Sequence, residues 1–569
     1  MILKSLYDYA QACSAKLPPE GLEWKEIEFI IVLDADGRFI RFESTRIDKK
    51  RCQRFLVAKA VKRSSGTKPN LLWDNGKYVL GLSPGDKKAH DEFIETIKAL
   101  APLHPHDKGL KALMKFYDTP PSELMVAFEA DPLFPTVMEG LKSNFSFRLQ
   151  SDSSLIAENR DLLAGLGMEG VEELPSGRCL VTGEYGPIVR TTTPTPLPGN
   201  SPMAALVSFQ VNSGYDSYGK TQAYNAPISV KAESAISSAL KYFLGKDSKN
   251  KARIGDRMIL FWGTGDKEVD HKVEESLSLL IDIPDKKETD LDAKVGNVVK
   301  LFKSIYSGEI KTTLDDRFHI VGLAPNTGRI AVVFWMDSTL KEFAENISSH
   351  FEDMEIVDTR KPDKKRPYVG VYSIVSAVTQ GGKVSDALPN LIDETVKSIL
   401  YGTRYPAQLL SGALQRIRAE LTEGPVSIQR AAILKAVINR NTKNNKQHKS
   451  LNIMLDRNNS NPGYLCGRLT AVLEKIQTDA NSGDSIRTRY MGAASATPAA
   501  VFPAMLNLSL HHGEKLSDGS RIFFEQLKQE IIDKMADGGF PTHLDMAEQG
   551  RFFVGYYQQR ADLYTKKEK

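Results

Sequence analysis

The sequence predicts an α+β protein: a mixed α/β N-terminal region with small antiparallel sheets, followed by an all-α helical bundle at the C-terminus. Three patterns carry that expectation. Short apolar runs bounded by Asp-Gly and Asn-Gly pairs recur early in the chain, as strands joined by turns do. Strand, strand and helix patterns follow one another between Phe318 and Phe351, an order that suits a small sheet with helices on one face. Beyond about residue 380, apolar residues recur at spacings of three and four, the period of a helix face.

Taken in order, Phe29-Ile-Ile-Val-Leu33 reads as a strand, Asp34-Ala-Asp-Gly37 as a hairpin turn and Arg38-Phe-Ile-Arg-Phe42 as the half-buried return strand. Asp48 is placed to cap a helix running to about Lys62, with Phe55 and Val61 among its apolar positions. Trp73-Asp-Asn-Gly76 makes a second turn before Tyr78-Val-Leu80. From Pro187 to Pro202, five prolines in sixteen residues exclude a helix and favour an extended loop. Leu206-Val-Ser-Phe209 follows, then a helix near 232–244 and the strand Met258-Ile-Leu-Phe-Trp262. Residues 318–321 and 329–334 form a strand pair joined at Pro325-Asn-Thr-Gly328, with a helix after it from about Thr339 to Phe351. Residues 360–367, basic and ending in proline, read as a surface linker. In the tail the helical period runs through Leu409, Leu414, Ile417 and Leu421, then Ile433, Leu434, Val437 and Ile438. It resumes at Leu465, Leu469, Val472, Leu473 and Ile476, and again at Phe523, Phe524, Leu527, Ile531 and Met535. A bundle of four to six helices fits. The expected domains are 1–120, basic and α/β; 121–370, α+β with the Pro-rich loop and a Tyr/Asn/Gln loop at 212–227; and 371–569, the helical bundle.

A composition of 41% hydrophobic and 26% charged residues is that of an ordinary soluble protein. No apolar run is long enough to span a bilayer, and the start, Met1-Ile-Leu-Lys4 with Tyr7, Asp8 and Tyr9, does not read as a signal peptide. Cys13, Cys52, Cys179 and Cys466 are far apart and form no Cys-x-x-Cys, which argues against zinc and disulfides and fits a reducing cytoplasm. Neither His104-Pro-His106 nor His511-His512 has further ligands at metal spacing, so no metal or cofactor is expected.

Charge is the informative property. Residues 46–77 carry ten basic side chains against Asp48 and Asp74, a net of +8, while the whole chain is only +4. Positive charge is therefore focused in one place, as a polyanion requires. The plain alternative is a solvated helix face and a basic loop. The run ends, however, in a Gly/Pro-punctuated loop that sets amides and hydroxyls beside cations, groups that can read base edges while lysines hold phosphates. Lys59, Lys62, Arg63, Ser64, Thr67, Lys68, Asn70, Asn75 and Lys77 are the candidate nucleic-acid-binding residues here. A second cluster, Asn212, Tyr215, Tyr218, Lys220, Gln222 and Asn225, combines stacking rings, amides and a cation.

That second cluster overlaps a Walker A pattern, Gly214-Tyr-Asp-Ser-Tyr-Gly-Lys-Thr221. A P-loop must feed directly into a helix, and Pro227 would fall in its second turn. A P-loop-like nucleotide-dependent enzyme is thus an alternative reading, and a purely structural scaffold is another. Gly81-Leu-Ser-Pro-Gly85 fits the nucleophile-elbow spacing, but Pro84 has no N–H to serve as oxyanion donor. No catalytic residue is assigned and the chain is expected not to be an enzyme.

Several blocks, in order along the chain, are familiar. They are Met1-Ile2 with Leu6 and Tyr9; Arg63-Ser-Ser-Gly66 with Lys68-Pro-Asn70, Asn75 and Tyr78-Val-Leu-Gly81; and Val207-Ser-Phe209, Ser217-Tyr-Gly219 and Asn225-Ala-Pro227. Further on come Gly322-Leu-Ala-Pro-Asn326 with Arg329, Arg416-Ile-Arg-Ala-Glu420, Leu465-Cys-Gly-Arg468, Phe540-Pro541, Gln549 and Phe553-Val-Gly-Tyr-Tyr-Gln-Gln-Arg560. Together they resemble the large subunit of the type I-C CRISPR Cascade, an RNA-guided DNA surveillance complex; the Pro187 to Pro202 run departs from that likeness. The resemblance implies a non-enzymatic subunit that anchors the 5′ end of the guide RNA and recognises the protospacer-adjacent motif in double-stranded target DNA. It also implies help in opening the duplex, R-loop stabilisation and recruitment of a helicase-nuclease. Its implied partners are the guide RNA, target duplex and displaced strand, the Cascade backbone and handle-binding subunits, and a small helical subunit made from the same gene by an internal start, for which Met454 is a candidate. Arg416, Arg418, Arg430, Lys435, Arg440, Lys443 and Lys446 are candidates to touch the displaced strand. They do not line one helix face, so Arg416 or Arg418 could equally face the core beside an acid.

Overall fold

The computed structural model describes the chain apart from residues 14–16, 20, 49–50, 62–66, 164–173, 196, 202–203, 212–213, 215–217, 246–247, 282–290, 362–367, 443–450, 481–482, 484, 536–537 and 566–569. It is α+β, as expected, and divides into two compact units. The first comprises 1–195 and 205–242; the second comprises 196–204 and 243–569.

The first unit begins with α1 (Ile2–Ala12), β1 (Leu22–Glu26), β2 (Phe29–Leu33), β3 (Phe39–Ser44), β4 (Arg46–Asp48), β5 (Arg51–Cys52), β6 (Arg54–Ala58) and β7 (Trp73–Asn75). Then come α2 (Gly76–Val79), α3 (Lys87–Leu100), α4 (Lys108–Asp118), α5 (Pro121–Glu129), α6 (Phe134–Glu139), β8 (Asn144–Leu149), α7 (Arg160–Leu163), β9 (Ser176–Arg178) and β10 (Tyr185–Pro187). Its sheet has the order β3-β2-β8-β7, with β2 and β8 parallel and the other pairs antiparallel. β2 is buried along its whole length, which explains its unbroken apolar run. Phe29 stacks on Phe145 at 5.0 Å between ring centres, and Phe147 packs against Phe93 and Phe116 of α3 and α4. The β2–β3 turn forms as expected. The Asp34 carboxylate accepts from the N–H of Asp36 (2.8 Å) and of Arg38 (2.9 Å), and Gly37 takes a φ of +81°.

Two expectations in this unit fail. The helix expected from Asp48 to Lys62 is instead β4, β5 and β6. β6 pairs antiparallel with β1, in the register Leu22 to Ala58 through Glu26 to Arg54, and buries Phe55 and Val57 against the core. A partner strand from residues 22–26, which the sequence reading did not identify, supplies the ladder that overrides local helical preference. Likewise Trp73-Asp-Asn75 is no turn but a strand pairing with β8, and Tyr78 and Val79 are helical. The Asn75 side chain accepts from the Lys77 N–H at 3.1 Å, so the Asn-Gly pair caps a helix rather than turning a hairpin. The segment 206–209 joins no regular strand.

α8 (Val230–Leu244) leads into the second unit, where β11 (Lys251–Ile254), β12 (Arg257–Gly263), β13 (Arg317–Asn326) and β14 (Arg329–Thr339) form an antiparallel meander in sequence order. α9 (Lys267–Ile281), α10 (Leu291–Ser307) and α11 (Leu340–Met354) contribute to the same core. α11 starts at the expected Thr339, whose hydroxyl accepts from Glu342 N–H (3.2 Å) while the Glu342 carboxylate accepts from Thr339 N–H (3.1 Å).

Nine further helices are found among the described residues, more than the four to six expected: α12 (Val371–Val378), α13 (Pro389–Leu400), α14 (Ala407–Ala419), α15 (Ile428–Thr442), α16 (Pro462–Asp479), α17 (Met491–Ala494), α18 (Pro498–Gly513), α19 (Asp518–Ile532) and α20 (Met546–Tyr564). One hydrophobic core runs from Ala252 to Tyr557, so the sheet and these helices share it. α16 and α20 approach closely because glycines notch the contact. A methyl on Gly467 would strike the Phe552 carbonyl, and one on Gly555 the Tyr464 carbonyl.

Candidate nucleic-acid interface

The basic segment of the first unit is a β-ribbon followed by a loop. Arg46, Arg51 and Arg54 lie on the ribbon with side chains 51%, 53% and 40% exposed. Each faces an acid: Arg46 pairs with Glu28, Arg51 with Asp48 at 2.6 Å and Arg54 with Glu26 at 3.8 Å. Exposed pairs such as those of Arg51 and Arg54 contribute only about 0–1 kcal/mol, so a phosphate can displace their carboxylates, whereas Glu28 beside Arg46 is largely covered and also accepts from Ser143 at 2.5 Å. Ile47 and Trp24, both exposed, add apolar surface beside them. The expected helix from Asp48 would have carried Arg51 and Arg54, and neither they nor Arg46 and Trp24 stand in the candidate set; the apolar run Phe55-Leu-Val57 with its aromatic and β-branched residues was the available strand signal.

The loop after the ribbon is closed at its base. Asn70 is buried, its side-chain carbonyl accepts from Val61 N–H at 2.9 Å, and its own N–H donates to the Asp74 carboxylate at 2.9 Å. The other Asp74 oxygen accepts from Asn75 N–H at 2.8 Å, and the Trp73 indole donates to the Ala58 carbonyl at 2.9 Å. In this structure the Asn70 side-chain oxygen clamps the loop and the Asn75 side-chain oxygen caps α2; Asn70 is buried, whereas Asn75 is half-buried. Thr67 donates to Glu92, and Lys59, half-buried, donates to Ser237 at 3.3 Å. Lys68 and Lys77 are exposed. Lys62, Arg63 and Ser64 lie outside the described residues. The clamp thus presents Lys68 at the surface on a loop whose two ends are held together.

In the second cluster, Asn212 and Tyr215 lie outside the described residues. Tyr218 is 99% exposed and has a φ of +52°, a left-handed backbone that costs a tyrosine strain. Lys220 is exposed too. Gln222 accepts from Arg190 at 2.8 Å, and the Asn225 amide donates to the carbonyls of Lys220 and Gln222 at 3.0 Å each. Gln222 and Asn225 therefore shape the loop, and Arg190 joins it without having been foreseen. After Thr221 the chain makes a short 3₁₀ turn, Gln222–Asn225, and α8 begins only at Val230. A P-loop geometry, with a helix N-terminus at the phosphates, is not formed. Ser83 follows α2 rather than a strand, so the nucleophile-elbow spacing lacks its strand as well.

The tail candidates among the described residues make contacts within the fold. Arg440 is buried, pairs with Asp353, donates to the carbonyls of Ser398 (2.7 Å) and Thr403 (2.8 Å), and lies over the Tyr405 ring at 4.1 Å. Arg430 pairs with Glu420 and donates to the Ala377 carbonyl at 3.0 Å. Both join separate segments of the fold in this structure. Glu420 also binds Arg416 at 2.5 Å, as the sequence allowed, and the buried Lys435 donates to the Asp353 carbonyl at 3.0 Å. Lys443 and Lys446 lie outside the described residues.

Among the described residues no group of three or more His, Cys, Asp or Glu is placed to hold a metal ion, and no helix is long and apolar enough to cross a membrane. The family model for CRISPR-associated protein (Cas_Csd1) matches residues 6–564, nearly the whole chain. The chain belongs to this family of CRISPR-associated proteins. Comparison with curated proteins gave no match.

Proposed function

We propose that the chain is the non-catalytic large subunit of a type I-C CRISPR interference complex in the cytoplasm. It recognises the protospacer-adjacent motif in target DNA, anchors the 5′ end of the guide RNA, assists duplex opening and R-loop stabilisation, and helps recruit the helicase-nuclease. The observation that carries the reading is the clamped basic loop beside an arginine ribbon, in a chain of the CRISPR-associated family. Such an element suits a protein that reads a short motif and holds strands while the guide RNA reads sequence by pairing. Lys68, the ribbon arginines and Lys220 supply phosphate contacts; Tyr218 supplies a ring for stacking. The partners are the guide RNA, the target duplex and displaced strand, the backbone and handle-binding subunits, and a small helical subunit. Met454 is exposed and precedes α16 to α20, a placement compatible with an internal start there. Mass spectrometry of the purified complex should find a tail-only species.

The test is binding of the assembled complex to short duplexes with and without candidate motifs, across a salt series. Affinity should depend on the motif, fall steeply with salt, and drop with Lys68→Ala and Lys220→Ala more on closed duplex than on a pre-opened target. Binding indifferent to motif and to both substitutions would refute the assignment.

A further inference from the structure

A second basic feature lies in the second unit and belongs to none of the elements above. A groove of about 890 Å³ runs along β11 and between α9 and α10. Lys249, Lys251 and Arg253 line it on and just before β11, and Lys272 lines it from α9. Glu275 is the one carboxylate among the described lining residues, so the wall carries four cations against one anion. The rest of the lining includes an apolar set, Met258 on β12 and Leu279 on α9 among them. Leu279 is 36% exposed, an apolar side chain left at the surface between charged neighbours.

Each cation already has a partner, and the partners differ in kind. Lys251 donates to the carbonyls of Leu244 (3.1 Å) and Gly245 (2.5 Å), where it closes the end of α8. Arg253 donates to the Gly255 carbonyl at 3.2 Å. Lys249 meets Glu275 at 2.5 Å and Lys272 meets Glu268 at 2.7 Å, with the two lysine side chains 62% and 56% exposed. Exposed ion pairs are held weakly and exchange readily for another anion. Lys249 and Lys272 are therefore the cations the groove can turn toward a ligand.

We propose that this groove binds a short segment of single-stranded nucleic acid, with phosphates at Lys249 and Lys272 and unstacked bases against Leu279 of α9 and Leu301 of α10, which also lines it. The inference rests on the reading of the chain as a CRISPR complex subunit and adds a second contact to it, apart from the basic ribbon and loop. Three features select this ligand. The cationic rim calls for a polyanion. The apolar lining calls for something that also exposes flat apolar faces, which a single strand does and a duplex, with its bases paired inside, does not. The volume is that of sites enclosing a small ligand, enough for a few nucleotides. Guide RNA and opened DNA share this chemistry, and the test separates them.

The experiment uses the full-length chain with fluorescently labelled eight-nucleotide RNA, DNA of the same sequence, and a motif-bearing duplex, across a salt series. Lys249→Gln/Lys272→Gln should weaken single-strand binding about tenfold at low salt and lower the salt slope by about 1.4, the share of two phosphate contacts. Duplex binding and Tm should stay as in the unaltered chain. Leu279→Gln should weaken single-strand binding without changing the salt slope, a result that separates base contact from charge. Loss with the RNA alone assigns the groove to guide RNA; loss with the DNA alone assigns it to an opened target strand; either supports the proposal. Unchanged single-strand binding in the double variant overturns it, and intact duplex binding in that case leaves the large-subunit reading standing. An acidic peptide that binds in place of the oligonucleotides, and is lost with the same lysines, also overturns it and makes the groove a protein-docking site.

Discussion

The arginines of the ribbon and those of the helical tail look alike in the sequence and serve opposite ends. Arg46, Arg51 and Arg54 stand about half exposed, each facing an acid. Arg440 and Arg468 are buried, and their guanidinium groups join segments far apart in the chain. Arg468 donates to Gln559 at 2.9 Å and to Glu530 at 3.2 Å. A charge taken out of water needs fixed partners to be tolerated at all, so a buried arginine is committed to the fold. An arginine left in water keeps its hydration and remains available to an anionic ligand. Counting cations along a chain therefore locates a binding surface only after burial is known.

Four substitutions or conditions sharpen this contrast, taken from the largest effect down. Arg440→Leu should destabilise the second unit by about 3–5 kcal/mol, because Asp353 is left buried without its cation. Denaturant unfolding would measure it, and the salt slope of nucleic-acid binding should not move. An unchanged midpoint would place Arg440 back among the ligand-binding residues.

The next effect is acid lability. His350 is buried, its Nδ1 lies 2.6 Å from the Tyr405 hydroxyl, and its Nε2 lies 2.7 Å from the Val369 carbonyl. A carbonyl only accepts, so Nε2 carries the proton. Burial, with the Arg440 charge adding to it, pushes the imidazole pKa down to about 4 from the ordinary 6.5. Between those values the unfolded chain binds the proton that the folded chain refuses. Stability is thus complete above about pH 6.5 and declines as pH falls toward 4, by on the order of 3 kcal/mol in all. His350→Gln should flatten that part of the Tm–pH curve; an equal slope in both proteins would remove His350 as its source.

Asn70→Ala comes third. It leaves the Val61 N–H without its acceptor and should cost about 1–3 kcal/mol. It should also weaken duplex binding, whereas Lys68→Ala should weaken binding at constant Tm. A loss of affinity without any loss of stability in Asn70→Ala would restore the direct base contact that its burial argues against.

Smallest in stability is Arg51→Gln/Arg54→Gln, expected to shift unfolding by less than about 1 kcal/mol for each pair lost. Its effect belongs in binding, where the salt slope on duplex DNA should fall by about 0.9 for each arginine that meets a phosphate. A marked drop in Tm with no change in slope would make the ribbon arginines structural, like those of the tail.

What the sequence made legible follows from where each element finds its partners. The tail was readable because its apolar residues recur at helical spacing: Leu465, Leu469, Val472, Leu473 and Ile476 are all buried on α16, a helix that is buried on its other faces as well. The β13–β14 pair and the capped start of α11 were readable because turn and cap lie within a few residues. The ribbon was not, because β6 owes its conformation to β1, some thirty residues earlier, and no local pattern in 46–62 names that partner. α9 and α10 were missed altogether, although both supply the core of the second unit. At the candidate site the place of the charge was legible and the division of labour was not. Asn70 stands beside Lys68 in the sequence, and only folding brings Val61 and Asp74 to it.

The clamp at Asn70 also bears on time. A loop tied at its base has met its closure cost when the chain folds, so on the proposed function an arriving duplex finds Lys68 in place. Opening the clamp would leave only a fraction of molecules competent at any instant, and that fraction scales the apparent affinity. In Asn70→Ala the deficit should therefore appear as slower association, while the lifetime of the complex, once formed, stays that of the native chain.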